Sequence, residues 1–270
     1  LRCLVGSEMC IRDSLKQRLN SAATQEHSEF AMALLVSEVI DTHLDAQGTK
    51  QQLDALMTPL AKLSSVGVQD LLDCFCRAGF GDRALERVDL SHSNLQWVLA
   101  QRQGLPIALA AIVIEAARRF GLTAYGINFP GHFLVSVQGD VVDPLTLQVL
   151  QRQQFAQKLS AHEFDAVMQP TLPRLFGLRM LNNVKIQYAQ AENWSEVLDV
   201  LACQLLVETV DMQTQAALHF ERGDCLQQMS MPSQAERAYK TCLEMSPSDE
   251  VLLQAQQRLR DLEFQDKILH

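Results

Sequence analysis

Along the first third of the chain apolar residues recur every three or four positions. Phe30, Leu34, Leu35, Val39, Ile40 and Leu44 fall on one face of a helix, so the pattern predicts a helix over 28–44, with Gly48 as its C-cap. A second helix is expected over 49–64 and a third over 68–76, ended by the two glycines of Ala78-Gly79-Phe80-Gly81-Asp82. Ser93-Asn94 reads as an N-cap for a short helix over 95–102. The apolar run that follows predicts a buried helix over 104–120, with Pro106 in its first turn, where a missing N–H costs little, and Gly121 at its end.

The period then changes from 3.6 to 2. Segments 124–129 and 132–137 read as strands, and Gln138-Gly139-Asp140 turns into a third over 141–143. In the middle strand His132, Leu134 and Ser136 face one way while Phe133, Val135 and Val137 face the other. A hairpin loop of even length pairs Asp143 with Leu134 or Ser136 and puts it on the His132 face, a diagonal separation of about 7–8 Å in the tighter register. An odd loop separates them. From Pro173 the chain is helical again. Gly223, Ala235, Tyr239 and Pro247 are spaced as the small, small, aromatic and terminal-proline positions of a tetratricopeptide repeat. Tyr188, Val197 and Leu201 fit the same template less well, with Asn193-Trp194 at the inter-helix turn. The expected fold is α+β, mainly α. A helical region over 15–92 precedes a core with a small antiparallel sheet over 93–172 and tetratricopeptide-like helical hairpins over 173–270.

Composition narrows the function classes. Of 270 residues, 47% are hydrophobic and 20% charged, enough to bury a substantial core. A net charge of -9 and no Lys/Arg cluster argue against general affinity for nucleic acid or anionic membrane. The apolar stretch 105–117 is too short for a bilayer and is interrupted by Pro106 and Glu115. Seven cysteines without framework spacing fit a reducing cytoplasm. Cys74 and Cys76, two apart on a helix, point to different sides and read as buried structural thiols rather than a chelate. Cys203, Cys225 and Cys242 read as fillers between repeat helices. His27, His43, His92 and His162 lack metal-ligand spacing, so no metal and no cofactor is expected. Residues 1–14 resemble the translation of sequencing-adaptor DNA, so Cys3 and Cys10 are set aside and the native start is expected to be lost.

The candidate chemistry lies in Gly104-Leu105-Pro106-Ile107, Asn128-Phe129-Pro130-Gly131-His132-Phe133 and Asp143-Pro144. Together they outline a Cys-His-Asp acyl-transfer site without its cysteine. Such sites place a thiol at a helix N-terminus, where the dipole favours the thiolate, and orient a His with an Asp. His132 and Asp143 are thus candidate relics of catalysis. Each has a plainer meaning: a strand histidine in a structural pair, and an Asp that ends a strand by bonding backbone. Glu115 and Arg118, three apart, suit a helix-surface salt bridge better than a ligand site. Arg222, Tyr239 and Lys240 are the candidates for a repeat groove that takes an acidic peptide.

The ordered set Ser93-x-Leu95-x-x-Val98-Leu99-x-x-Arg102-x-Gly104-Leu105-Pro106-Ile107, Glu115-x-x-Arg118-x-x-Gly121-Leu122, Phe129-Pro130-Gly131-His132-Phe133-Leu134 and Asp143-Pro144 resembles the bacterial SirB-type family, from about residue 26 to the end. The resemblance implies a helical N-terminal region, a transglutaminase-like core that also occurs in a eukaryotic F-box protein, and C-terminal tetratricopeptide repeats. It also links the chain to regulation of gene expression. Where that family continues after Asp143-Pro144 with an aromatic residue and an Asn-Gly-Gly turn, this chain has Leu145-Thr146-Leu147-Gln148. Aligned on Gly121, the nucleophile position of active relatives falls at or next to Pro106. The expectation is a cytoplasmic, non-catalytic core joined to repeats that bind a protein or peptide, with no nucleic-acid or membrane contact. The alternative is a cysteine-dependent acyl transferase or amide hydrolase in which His132 and Asp143 receive a thiol from Cys74 or Cys76.

Overall fold

The computed structural model describes residues 15, 17–19, 21, 22, 25, 29–81, 87–151, 164, 166–207, 211–245 and 247–269, with side chains as far as 264. His27, His162, Cys3 and Cys10 lie outside the described residues. Helices α1 (Glu29–Ile40), α2 (Ala46–Met57), α3 (Val68–Arg77), α4 (Leu95–Gln101) and α5 (Pro106–Arg119) precede the strands β1 (Ala124–Ile127), β2 (Leu134–Val137), β3 (Asp140–Asp143) and β4 (Gln148–Val149). Five helices follow: α6 (Pro173–Gln190), α7 (Trp194–Leu205), α8 (Met212–Gln228), α9 (Pro232–Glu244) and α10 (Asp249–Leu269). The fold is α+β and mainly α. Two compact units divide the chain after Asn183, within α6.

In the first unit α5 is the central element. Ten of its fourteen residues are buried, Ile107 to Ala117 with the exception of Glu115, which is the burial expected of a helix surrounded on nearly every side. Pro106 occupies its first position, where no N–H is required. Its end is a Schellman turn: Leu122 N–H donates to Ala117 O and Gly121 N–H to Arg118 O, both at 3.0 Å, with Gly121 at φ 76°. Asn94 caps α4, its Oδ1 accepting from Gln96 and Trp97 N–H.

The sheet is antiparallel throughout, in the order β1-β2-β3-β4. Ser136 pairs with Val141 and Val135 with Val142, so the ladder carried one residue further sets Asp143 across from Leu134. The strands are shorter than the alternation predicts, because β1 stops at Ile127 and β2 starts at Leu134. His132 therefore sits in the connecting turn rather than in the strand. β4 had no pattern of its own; it exists because Leu147 takes φ 55° and reverses the chain.

Two local expectations are corrected. Gly48 is not a C-cap: it lies in the first turn of α2, and its N–H donates to the N-cap Asp45 Oδ1 at 2.8 Å. Helix α1 ends earlier, at Ile40. Cys76 is exposed, because of the two cysteines only Cys74 turns inward from α3.

In the second unit α8 and α9 form an antiparallel hairpin around a cluster that includes Ala216, Phe220, Ala235, Tyr239 and Cys242. Gly223 is the small residue at the crossing: a Cβ there would sit 2.7 Å from Tyr239 Cζ. No single described helix is long and apolar enough to cross a membrane.

Candidate functional site

The start of α5 is where the sequence leads one to expect an acyl-transfer nucleophile. The backbone enters through Leu105 in extended conformation (φ -64°, ψ 147°), anchored by its N–H donating to His92 O at 2.9 Å. Gly104 is required there, since a Cβ would come within 3.2 Å of that same carbonyl and closer to Val98. Leu105, Pro106, Ile107 and Ala108 then follow. The dipole of a buried fourteen-residue helix points at this end, but the first turn offers it no hydroxyl or thiol.

Strand β1 returns along α5. Arg118 Nε donates to Ala124 O at 3.0 Å, and a Cβ on Gly126 would lie 3.7 Å from Ile114. Two residues of strand thus answer four of helix, which aims the Asn128–Phe133 turn toward the N-terminal half of α5. The antiparallel register brings the turn that carries His132 and the end of β3 to the same end of the sheet.

Within that arrangement the expected His132–Asp143 pair is not made. Among the described residues no hydrogen bond or ion pair joins them. Asp143 is half-buried and spends its Oδ1 on Leu145 N–H (2.8 Å), while its carbonyl accepts from Leu147 N–H (2.8 Å). That is an Asx turn closing the β3–β4 hairpin. His132 is exposed, and its main chain does the bonding: N–H to Phe129 O at 3.1 Å, carbonyl from Arg179 Nη2 at 3.2 Å.

Arg179, on α6, is the residue that sequence reasoning missed. Its guanidinium also donates to the Asn128 side-chain oxygen and sits 5.4 Å over the Phe133 ring, which in turn packs edge-on against Phe176. One half-buried cation thereby holds the Asn128–Phe133 turn, and its partial burial lowers its pKa. No spacing links positions 47 residues apart, so the sequence carries no local signal for it.

The thiols stand elsewhere. Cys74 Sγ–H donates to Leu56 O at 3.5 Å and burial raises its pKa against a smaller lowering by Arg77. Cys225 Sγ–H donates to Trp194 O at 3.2 Å, and burial pushes that thiol up to about 11. Cys242 is fully buried and raised for the same reason. None of the hydrogen bonds among the described residues joins a cysteine to His132. Nor do three His, Cys, Asp or Glu side chains gather as a metal site among them.

The remaining candidates are redistributed. Glu115 pairs with Arg119 at 2.9 Å, one position beyond the expected partner, and Arg118 instead reaches Glu29, at 2.5 and 3.0 Å. These groups border a cavity of about 770 Å³ at the opposite end of α5 from Pro106. Tyr239 is not a groove residue. It is fully buried in the α8–α9 crossing, its OH shared between Asp224 (2.7 Å) and Gln227 (2.5 Å), and burial foremost, with Asp224 next, raises its pKa. An aromatic spaced to meet Gly223 fills the crossing that the glycine leaves open. Arg222 is exposed, and Lys240 pairs with Glu236 at 2.5 Å on the outer face of α9.

Against known proteins, the chain is 29% identical over 188 residues to a UPF0162 protein of Xylella fastidiosa strain Temecula1, covering 64% of this chain and 66% of the relative. A second strain, 9a5c, has a counterpart at 28% over the same length. A UPF0162 protein of Pseudomonas aeruginosa is 48% identical over 54 residues, 19% of this chain and 20% of that protein. The alignments to the Xylella proteins thus cover just under two thirds of those relatives. No solved structure matches. The model of the transglutaminase-like superfamily matches residues 18–182, more than half of the 270-residue chain and the part built around α5 and its sheet, and the protein belongs to that superfamily.

Proposed function

We propose that this chain is a SirB-type protein whose transglutaminase-like unit performs no acyl-transfer chemistry, and whose C-terminal hairpins, of tetratricopeptide type, bind a protein partner in the cytoplasm. The observation that carries the reading is the first turn of α5: Leu105-Pro106-Ile107-Ala108 puts a proline where the reaction needs a nucleophile. Three further observations support it. Asp143 is committed to its own turn, His132 faces solvent without a carboxylate partner, and the buried thiols are held protonated by their surroundings. The Gly223–Tyr239 crossing supports the repeat assignment.

The full-length chain tests both halves. Incubated with a broad panel of ester and amide substrates, it should show no rate above background. Captured from its native host, it should retain a partner that Arg222→Glu releases while Glu263→Lys, on the exposed face of α10, does not. A rate that disappears in a folded His132→Gln variant overturns the non-catalytic reading, and identical capture by both charge variants overturns the placement of the partner on α8.

A further inference from the structure

The cavity at the far end of α5 lies outside everything that reading uses. Its volume of about 770 Å³ falls in the range of roughly 300–1,000 Å³ usual for ligand sites. It opens where the last turn of α5, the start of β1 and residues 170–173 meet. Its charged lining cancels internally. Glu29, 2% exposed, is held by two nitrogens of Arg118, while Arg119 is taken by Glu115 and Asp54. A charged occupant would have to break one of these pairs and leave the other member alone. The cavity therefore suits an uncharged one.

One polar side chain in it is left over. Thr171 lines the cavity, is 6% exposed, and its Oγ1 is buried without a hydrogen-bond partner. Such a group carries a desolvation cost that a ligand's polar atom removes.

The main chain of β1 points the same way. β1 is an edge of the sheet. Gln138 N–H donates to Thr123 O at 2.8 Å, and from there the antiparallel alternation turns Thr123 and Tyr125 toward β2, and Ala124 and Gly126 outward. The outward carbonyls are occupied: Gly126 O accepts from Thr171 N–H at 2.8 Å and Ala124 O from Arg118 Nε. The outward N–H of Ala124 has no acceptor among the described residues, and Ala124 lines the cavity. Residues 170–173 thus begin to pair with the β1 edge at Gly126 and stop where the cavity starts. Around this gap Leu122, Tyr125 and Leu172 present apolar surface, Leu172 being 46% exposed.

We infer that this cavity is a second binding site, on the transglutaminase-like unit and away from His132, for an uncharged extended peptide segment that adds to the open end of the β1 edge. A main-chain carbonyl of the segment accepts from Ala124 N–H, a neighbouring peptide group meets Thr171 Oγ1, and alternate apolar side chains lie against Leu122 and Leu172. Strand addition supplies affinity through the main chain and selectivity through every second side chain.

The test uses the full ¹⁵N-labelled chain and N-acetylated, C-amidated hexapeptides alternating Val or Leu with Thr, followed by amide shifts. Binding should move the amides of Leu122, Thr123, Ala124, Tyr125 and Thr171 and leave the Asn128–Phe133 turn unmoved. Thr171→Val keeps the shape and removes the hydroxyl. It should weaken binding about three- to tenfold, one neutral hydrogen bond, without lowering the melting temperature of the free protein. Ala124→Pro deletes the outward N–H at a position where an edge strand tolerates proline, and should abolish binding; if that variant does not fold, Thr171→Val still decides. Three results overturn the inference: no peptide in the set moves these amides, Thr171→Val binds with undiminished affinity, or uncharged small-molecule fragments saturate the site while the peptides do not.

Discussion

At Cys225 a single thiol reports how the second unit is built. Its hydrogen donates to Trp194 O, and burial holds its pKa at about 11, above the ordinary 9.0. A folded pKa raised above the unfolded one favours the protonated native state. The contribution is complete below pH 9, and shrinks as pH climbs through the folded value, because the unfolded chain ionises first. The urea midpoint should therefore fall between about pH 9 and 11, and fall less in Cys225→Ala, whose stability at neutral pH is lower. An identical alkaline slope in the two proteins would contradict the burial. Iodoacetamide at pH 8 should modify the exposed Cys76 well ahead of Cys225, only about one part in a thousand of which is thiolate at that pH. Spacing alone marked Gly223 and Ala235 as the small positions of one helical hairpin and Tyr239 as its aromatic position. It did not tell which way the ring points, because direction depends on the partner helix, and the aromatic assigned to a groove fills the core instead.

Elements were legible in sequence where their signals are local, and illegible where distant residues supply them. Among the described residues four helices end in the same Schellman turn. Gly79 and Gly121 supply the left-handed residue in two of them and are visible stop signals; Glu192 (φ 56°) and Ser230 (φ 58°) supply it in the others and are not. Exposed Ser230 bears the conformational strain without using its side chain, so Ser230→Gly should raise stability by about 0.5–1 kcal/mol, the left-handed penalty of an L-residue less the extra entropy of an unfolded glycine. Leu147 makes the opposite case. It has φ 55° in the turn between β3 and β4, yet it is 6% exposed and packs against Gly81, whose Cβ would lie 3.5 Å from Leu147 Cδ1. Removing a buried leucine costs about 2–5 kcal/mol, more than the relieved strain of about 1–2. Leu147→Gly should thus destabilise by about 1–3 kcal/mol in urea denaturation, and a gain in stability would mean that the side chain does not pack. The same contrast explains β4 and Arg179: neither has a pattern in its own neighbourhood, since one depends on a strained turn and the other on a partner 47 residues away.

For the whole molecule the question is whether a superfamily built to hold a nucleophile, a base and a carboxylate has here kept the frame for another purpose. Each of the three candidate positions is bound into structure on its own terms: Pro106 starts a helix, Asp143 closes a hairpin, and His132 offers Arg179 its carbonyl rather than its ring. If the histidine ring is idle, replacing it alters nothing that folding or chemistry uses. His132→Gln should keep its melting temperature, within the roughly ±0.5 kcal/mol typical of exposed substitutions, because an imidazole with no partner among the described residues leaves no buried group orphaned. Arg179→Met, by contrast, removes the cation that ties Asn128, Phe129 and His132 together, and should cost about 1–3 kcal/mol, the range for a charged hydrogen-bonding group whose acceptors are left unpaired. On an acyl-transfer reading the order reverses: His132→Gln then removes turnover on an ester or amide substrate with the fold intact, as loss of a general base does, by about a hundredfold or more. Measuring melting temperature and hydrolysis on both variants separates the two. A stable His132→Gln with no wild-type rate to lose leaves the turn as an architectural device, whereas a wild-type rate abolished by that one substitution assigns the ring its ancestral work.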